Sequence, residues 1–471
     1  MMQRLNAQTI LPEGVQAPGY DRSSLKPGIV HLGIGAFHRA HQAVYTDDAL
    51  THEFGDWGIV GASLRSTDIV HALTAQDCLH TVVTRDRLGD SARIVGSTVR
   101  AIAATEDREA LLSCLADPAI RIVTLTVSEK AYGIDPKTGG LHADHAAVAH
   151  DMADPHNPVG AIGFIVEGLA RRRALGHAPF TVLCCDNLPG NGHVVRRLVI
   201  EMASHRDPEL GQWIETEGRF PSSMVDRIVP AATDAVRERA AGIIGAADAL
   251  ALETEPFTQW VIEDSFVTGR PAWEAGGALF VDAVEPYEKM KLRLLNGSHS
   301  LIAYLGQLHG LEFVRDVMAV ADYQQIVRHH MQAALPTLDP VPGIDLDAYI
   351  EQLVARFANP AIAHRTAQIA MDGTQKLPQR IFAPALEALA AGKDADAFAY
   401  ATALWIAYVL TTENVDDPRA DELRKAAQDS ALRNDGSVAF FDIPGLFPPT
   451  LMIDTAWRAS VDRHLKSIQS V

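Results

Sequence analysis

The stretch from Pro27 to Leu50, "PGIVHLGIGAFHRAHQAVYTDDAL", decides how the chain is read. Ile29–Leu32 make a short apolar strand, Gly33-Ile34-Gly35 follow it, and a helical run begins after the second glycine. Strand, glycine turn and helix in that order are the context in which a Gly-x-Gly holds a dinucleotide. Glycines let the backbone approach a pyrophosphate, whose charge is met by free N–H groups at the helix N-terminus. A plain tight turn would use the same residues, since His38 stands where the fingerprint has its third glycine. Phe37, His38 and Arg39 open the helix and are the expected neighbours of the cofactor. Arg39 either adds charge to a phosphate clamp or caps the solvent face.

Outward from that stretch, "WGIVGASL" is a second strand, and "TVVTRDRLGDSARIVGST" alternates about Gly89-Asp90 as a hairpin does. "IRIVTLTVS" and "FTVLCCDN" are dense β-branched runs of the kind buried in parallel sheets. Between them "AIGFIVEGLARRRALG" is an amphipathic helix with Gly176 as its stop. Strands alternating with helices predict an α/β fold, a Rossmann-type doubly wound sheet with right-handed crossovers. From about residue 285 the pattern is helical, with Pro and Gly clustered between segments, as in "PTLDPVPGIDL". Two domains are expected, a Rossmann-type one over 1–284 and a mostly α-helical one over 285–471.

An acid that reads the ribose should close the second strand. Asp68 in "RSTD" is the candidate, 33 residues past Gly35 where about 20 is usual, which predicts an extended first helix or loop. Arg65 and Ser66 beside it could instead receive a 2′-phosphate, so NAD is expected and NADP is not excluded.

The chain is 47% hydrophobic and 21% charged, an ordinary globular balance, and its net charge of -18 disfavours nucleic acid and anionic membranes. No run of 18 apolar residues and no apolar leader occur, so a cytoplasmic protein is expected. Cys78, Cys114, Cys184 and Cys185 lack ligand spacing, and the Cys184-Cys185 pair should pack as small hydrophobes. His38 and His41 stand three apart, but no third ligand accompanies them, so no metal is expected and both histidines read as satisfied polar groups.

"KLRLLNGSHS" places Lys291, Asn296 and His299 among leucines. At 100° per residue Asn296 and His299 lie about 140° and about 80° from Lys291, on one half of a helix. From spacing alone this is either a reactive face or a solvated lysine with a helix-capping asparagine. Together, "GIGAFHRAHQAVY", "CCDNLPGNG", "MVDRIVP", "EPFTQWVIEDSFVTGRPAWE" and "KLRLLNGSHS" resemble the polyol-specific long-chain dehydrogenase/reductases, the mannitol dehydrogenase family. The resemblance runs from Ile29 to past Arg380, and "HRTAQIAMDGTQKLPQR" looks most like the fructuronate reductases (D-mannonate oxidoreductases) of that family.

The resemblance implies a metal-free NAD(P) enzyme whose catalytic signature is Lys291, Asn296 and His299. A lysine ordinarily titrates near 10.4, and burial beside a nicotinamide cation would bring it towards the working range of an acid/base. Asn296 and Asn187 would aim amide N–H groups at the developing alkoxide, and His299 would hold a neighbouring hydroxyl. Glu288, three residues before Lys291, either relays the proton or makes a surface ion pair. Lys376 and Arg380 would meet a substrate carboxylate, and Asp226 and Arg227 either line the cofactor cleft or pair structurally.

The expected reaction is reduction of D-fructuronate to D-mannonate. The alternative is a mannitol- or arabinitol-type polyol 2-dehydrogenase. Two departures bear on it: only Asp68 follows the second strand where NAD-specific members can carry two acids, and Gln368 stands where mannitol dehydrogenases can place an arginine. The partners expected are a small sugar acid or polyol, with monomer and small homo-oligomer both open.

Overall fold

A computed structural model describes residues 2–433 and 436–470, which form two compact units, Met1–Glu285 and Pro286–Val471. The first unit holds strands β1 (Pro27–Leu32), β2 (Gly58–Ser63), β3 (His80–Asp86), β4 (Gly89–Val95), β5 (Thr98–Ala103) and β6 (Ile122–Leu125). It continues with β7 (Thr181–Cys184), β8 (Ser223–Asp226), β9 (Leu252–Thr254), β10 (Gln259–Glu263) and β11 (Leu279–Val281).

Five of these make an all-parallel sheet in the order β5-β2-β1-β6-β7. Its strands are buried on both faces, as their unbroken apolar character predicts. Successive side chains point to opposite faces. Val30 and Leu32 pack with Leu111, Phe164 and Leu198 on one side, while Ile29 packs with Ala43, Tyr45 and Trp260 on the other. The Rossmann-type expectation holds, and the strand order reverses between β1 and β6.

The long interval before Asp68 has a physical cause. The helix after β1 runs only from Ala36 to Ala40, the chain breaks at His41 (φ -127°, ψ -88°), and a second helix, Gln42–His52, completes the crossover. The expected hairpin is β3-β4, paired from His80↔Val95 to Asp86↔Gly89. Its turn lies at Arg87 and Leu88 rather than at Gly89-Asp90, because both of those residues pair in β4. Helix Ala161–Ala174 ends as expected, with Gly176 at φ +72° supplying the left-handed residue a helix stop favours. Cys184 and Cys185 are free and buried, as expected of small hydrophobes, and their sulfurs also meet the Tyr132 hydroxyl (3.1 Å) and the Leu183 carbonyl (3.7 Å) respectively.

The second unit is helical throughout. Helix Asp396–Thr411 is buried on nearly every side and packs against Gly297–Leu308 and Thr455–Gln469. A helix apolar all round belongs in a core. Among the described residues no helix is long and apolar enough to cross a membrane.

One local expectation fails here. "KLRLLN" is not α-helical: Lys291–Asn296 form a π-helix, with the Gly297 N–H reaching the Leu292 carbonyl five residues back. A second π segment, Pro378–Phe382, closes in the same way from Ala383 to Pro378, and the two segments pack against each other. The wider turn brings residues five apart onto one face, so Asn296 comes round towards Lys291 instead of lying far across the helix.

Candidate active site

In the first unit the Gly33–Gly35 turn sits at the carboxyl edge of the sheet, where the strand order reverses. Open α/β sheets bind ligands at that crevice. The Gly33 N–H donates to the Ala62 carbonyl at the end of β2 (2.8 Å), and the Thr126 N–H after β6 donates to Leu32 (2.9 Å). Gly33 has φ +98°, and a Cβ there would lie 2.1 Å from the Thr126 carbonyl oxygen, so only glycine fits. Gly35 differs. It has φ -66°, and a Cβ on it would meet no protein atom within 4 Å. Sterics inside the chain therefore do not demand glycine at 35, whereas close approach of a ligand to the backbone would. That cradle fits a pyrophosphate.

Beneath the turn lies His31. Its Nδ1 meets Thr124 Oγ1 at 2.7 Å and its Nε2 meets Thr126 Oγ1 at 2.8 Å, while the Thr126 hydroxyl donates to the Gly33 carbonyl (2.7 Å). Burial pushes the imidazole down to about 3, so it is neutral. His38 stacks on it with ring centroids 3.4 Å apart. His38 is buried and neither ring nitrogen has a hydrogen-bond partner, which corrects the expectation of a satisfied polar group beside a phosphate. Its pKa is driven well down, by burial first and then by His31, His80, Arg39 and His41.

Arg39 also departs from expectation. It neither clamps phosphate nor caps a solvent face: it is 6% exposed, and its Nη1 donates to the Leu250 carbonyl (2.5 Å). Phe37 is half-buried and stacks on His41 (4.9 Å), whose Nε2 meets the Gln259 carbonyl. Asp68 is exposed at the start of helix Asp68–Thr74, just after β2, with Arg65 and Ser66 exposed before it. Of the pair left open, Arg227 is structural, donating to the Ala40 carbonyl (2.6 Å), and Asp226 is buried.

Asn187 is exposed three residues beyond the loop-side end of β7. Beside it Asp186 accepts from the N–H groups of Val127 (2.9 Å) and Ser128 (3.1 Å) and from the Tyr132 hydroxyl (2.6 Å). Burial raises its pKa despite these donors. Ser128 takes φ +74°, uncommon for a residue with a side chain. The segment 126–128 thus links the Gly33 turn to the Asp186-Asn187 loop. Sequence reading missed Thr126, Ser128 and Asp186, and "TVS" carried no signal beyond its β-propensity.

Among the described residues one group, His193, Glu263 and Glu285, brings three potential metal-ligand atoms within 4.8 Å of one another. His193 and Glu285 are exposed, and Glu263 already accepts from the Ser222 N–H.

In the second unit the π segment is anchored on both flanks. Tyr287 donates to the Pro342 carbonyl (2.6 Å), and Arg293 makes a bidentate pair with Glu387 (2.9 and 2.5 Å). Between these anchors Lys291 is 9% exposed. Asn296 is half-buried. His299 is 7% exposed, lies against Phe357 (4.6 Å), and meets His364 edge-on (5.2 Å, 85°). Its Nε2 has no partner. Burial holds it neutral, helped by the positive charges of Arg356, Arg380 and Lys291 and by His364. Glu288 is half-buried, on the turn before Lys291.

The two cations expected to meet a carboxylate behave differently. Lys376 is held by its own loop, donating to the carbonyls of Met371 (2.7 Å) and Ile369 (3.4 Å) and pairing with Asp372 at 3.7 Å. That corrects its assignment: its ammonium braces the loop. Arg380, half-buried, donates from Nη1 to the Asn296 carbonyl (3.4 Å) and Ser300 Oγ (3.2 Å), and has no acidic partner among the described residues. A buried charge without a counter-ion is costly. Gln368 is exposed.

Comparison with known proteins gives one pattern. Residues 27–275 match the model of the mannitol dehydrogenase Rossmann domain, and 283–442 match that of the mannitol dehydrogenase C-terminal domain. The chain is 46% identical over 464 residues to an uncharacterized oxidoreductase, YdfI, of Escherichia coli (strain K12), covering 96% of this chain and 94% of the relative. It is 45% identical over 408 residues to the D-mannonate oxidoreductase of the same organism, covering 86% and 83%. The solved ternary complex of Pseudomonas fluorescens mannitol 2-dehydrogenase with NAD and D-mannitol matches with TM-score 0.84 at 38% identity, over 99% of this chain and 97% of that one.

Proposed function

The chain belongs to the mannitol dehydrogenase family of oxidoreductases acting on CH–OH groups, and from that premise we propose that it reduces D-fructuronate to D-mannonate, reversibly, with NADH. The observation that carries the substrate assignment is Arg380, a guanidinium beside Asn296 and Ser300 with no acidic partner among the described residues. A substrate carboxylate would supply the missing counter-ion through a bidentate fork.

NAD would lie on the Gly33–Gly35 turn, with Asp68 reading the ribose hydroxyls, and when bound as NADH it supplies the hydride. Lys291 donates the proton to the ketone oxygen and removes it in the reverse direction. Asn296, brought to the lysine's face by the π turn, and Asn187 direct amide N–H groups at that oxygen as its negative charge grows. His299, neutral and with Nε2 unpartnered, holds a neighbouring hydroxyl. Glu288 relays the proton to solvent.

The polyol 2-dehydrogenase reading keeps one support, the similarity to the mannitol 2-dehydrogenase complex. The two readings separate when NADH oxidation is followed at neutral pH with D-fructuronate and D-fructose offered separately. We expect kcat/KM at least a hundredfold higher for fructuronate; preference for fructose would overturn the aldonate assignment.

The two glycines give a second test. Gly33→Ala should lower stability by about 2 kcal/mol or more, because a left-handed backbone and a clash with Thr126 coincide. Gly35→Ala should leave the melting temperature unchanged and weaken NADH binding about tenfold or more, roughly 1.4 kcal/mol. Unchanged NADH affinity in Gly35→Ala, measured by fluorescence titration, would remove the cofactor from this turn.

A further inference from the structure

The space around His299 holds more unpartnered hydrogen-bonding capacity than the residues assigned so far require. Among the described residues Arg380 makes hydrogen bonds through Nη1 alone, and no acid among them pairs with it. His299 Nε2 is buried without a partner, and so is His364 Nδ1. Lys376, the other cation considered for a carboxylate, is occupied by Met371, Ile369 and Asp372.

His364 is also fixed in place. Its carbonyl accepts from the Val314 N–H (2.9 Å), the Thr366 N–H donates to the Glu312 carbonyl (2.9 Å), and Phe313 bridges to Arg365. These bonds hold 364–366 against 312–314, and the imidazole meets the ring of His299 edge-on at 5.2 Å. A buried imidazole nitrogen left bare costs stability unless a ligand meets it.

We propose that His364 is a specificity-determining residue, which together with Arg380 binds the carboxylate of the sugar-acid substrate. In D-fructuronate hydroxylated carbons separate the ketone from the carboxylate. A ligand whose ketone meets Lys291 and whose neighbouring hydroxyl meets His299 has further length to be read, and His364 is the next hydrogen-bonding ring. Arg380 supplies the full charge and the planar fork. His364, held neutral by burial, supplies one directed N–H at lower desolvation cost than a second cation. A ketose of the same length carries a hydroxymethyl group in that place and gains little from either residue.

The inference rests on the proposed reduction of a sugar acid, and the test keeps the two apart. Steady-state constants for D-fructuronate and D-fructose are measured with the full-length protein and with His364→Phe and His364→Asn. If the unaltered protein prefers fructose, the sugar-acid reading fails irrespective of the variants. If it prefers fructuronate, His364→Phe should raise KM for fructuronate at least tenfold, leave its kcat within about twofold, and leave both constants for fructose unchanged. His364→Asn, whose amide N–H can stand close to where Nδ1 stands, should recover part of the lost affinity. Equal loss for both substrates would reduce His364 to a structural role and overturn the proposal, as would an unchanged preference. Should His364→Phe fail to fold, the same comparison with His364→Leu decides.

Discussion

Lys291→Ala should lower kcat for ketone reduction by two to four orders of magnitude, the range that a positioned acid/base contributes. NADH affinity should change by less than twofold, because the residues assigned to the cofactor lie on the Gly33–Gly35 turn and at Asp68. The loss belongs in kcat and kcat/KM together, the signature of an interaction made mainly in the transition state. Lys291 sits between two anchors, Tyr287 on Pro342 and Arg293 on Glu387, so truncating it should leave the surrounding backbone where it is. Single-turnover rates at saturating NADH separate the proton step from product release. Undiminished single-turnover rates in Lys291→Ala would remove the lysine from the chemistry.

Mild acid should unfold the protein well before its carboxylates are titrated. His31 and His80 are buried with pKa about 3, and His330 with pKa about 4, each driven down by burial. In the unfolded chain the same groups titrate near 6.5. Below that pH the unfolded state takes up protons that the folded state refuses. The stability these histidines lend is therefore complete above about pH 6.5 and drains away as pH falls towards 3 to 4. At pH 5 each costs about 2 kcal/mol, and three of them about 6 kcal/mol, comparable with the whole stability of an ordinary domain. Asp47, Asp151 and Asp186, whose carboxyls burial raises, act in the opposite sense and temper the lower end of the window. Urea unfolding at pH 7.5 and pH 5.0 should show the midpoint falling by more than a third. Equal midpoints would mean that these imidazoles are not held neutral in the fold.

The sequence was most informative where one residue type answers one steric demand. Gly33 could be read because a left-handed turn against the Thr126 carbonyl leaves no room for a Cβ. The parallel sheet could be read because "IVTL" and "TVLC" are apolar on both faces. Other features depend on tertiary surroundings that no spacing encodes. Arg39 looks like a phosphate ligand until the Leu250 carbonyl, 211 positions away, takes its guanidinium. Lys376 and Arg380 look alike in "QKLPQR", and they differ because Met371, Ile369 and Asp372 surround only the first. The motif "HRTAQIAMDGTQKLPQR" begins at His364, yet no spacing gives that residue a role, because the proposed one lies in the hydrogen bond its Nδ1 lacks.

The π turn at Lys291–Asn296 holds one residue more than an α turn would, and that residue sets a phase. Winding the same residues as an α turn would rotate everything downstream by about 100° relative to the lysine. His299 would swing off the face proposed to react, and Leu301, Ile302 and Leu305, all buried, would swing out of the core on the same rotation. A single angular offset thus serves two masters, the alignment of the groups proposed to react and the seating of the helix that carries them. Any lineage that loses the offset loses packing along with chemistry, so selection for a stable fold also preserves the geometry of the site.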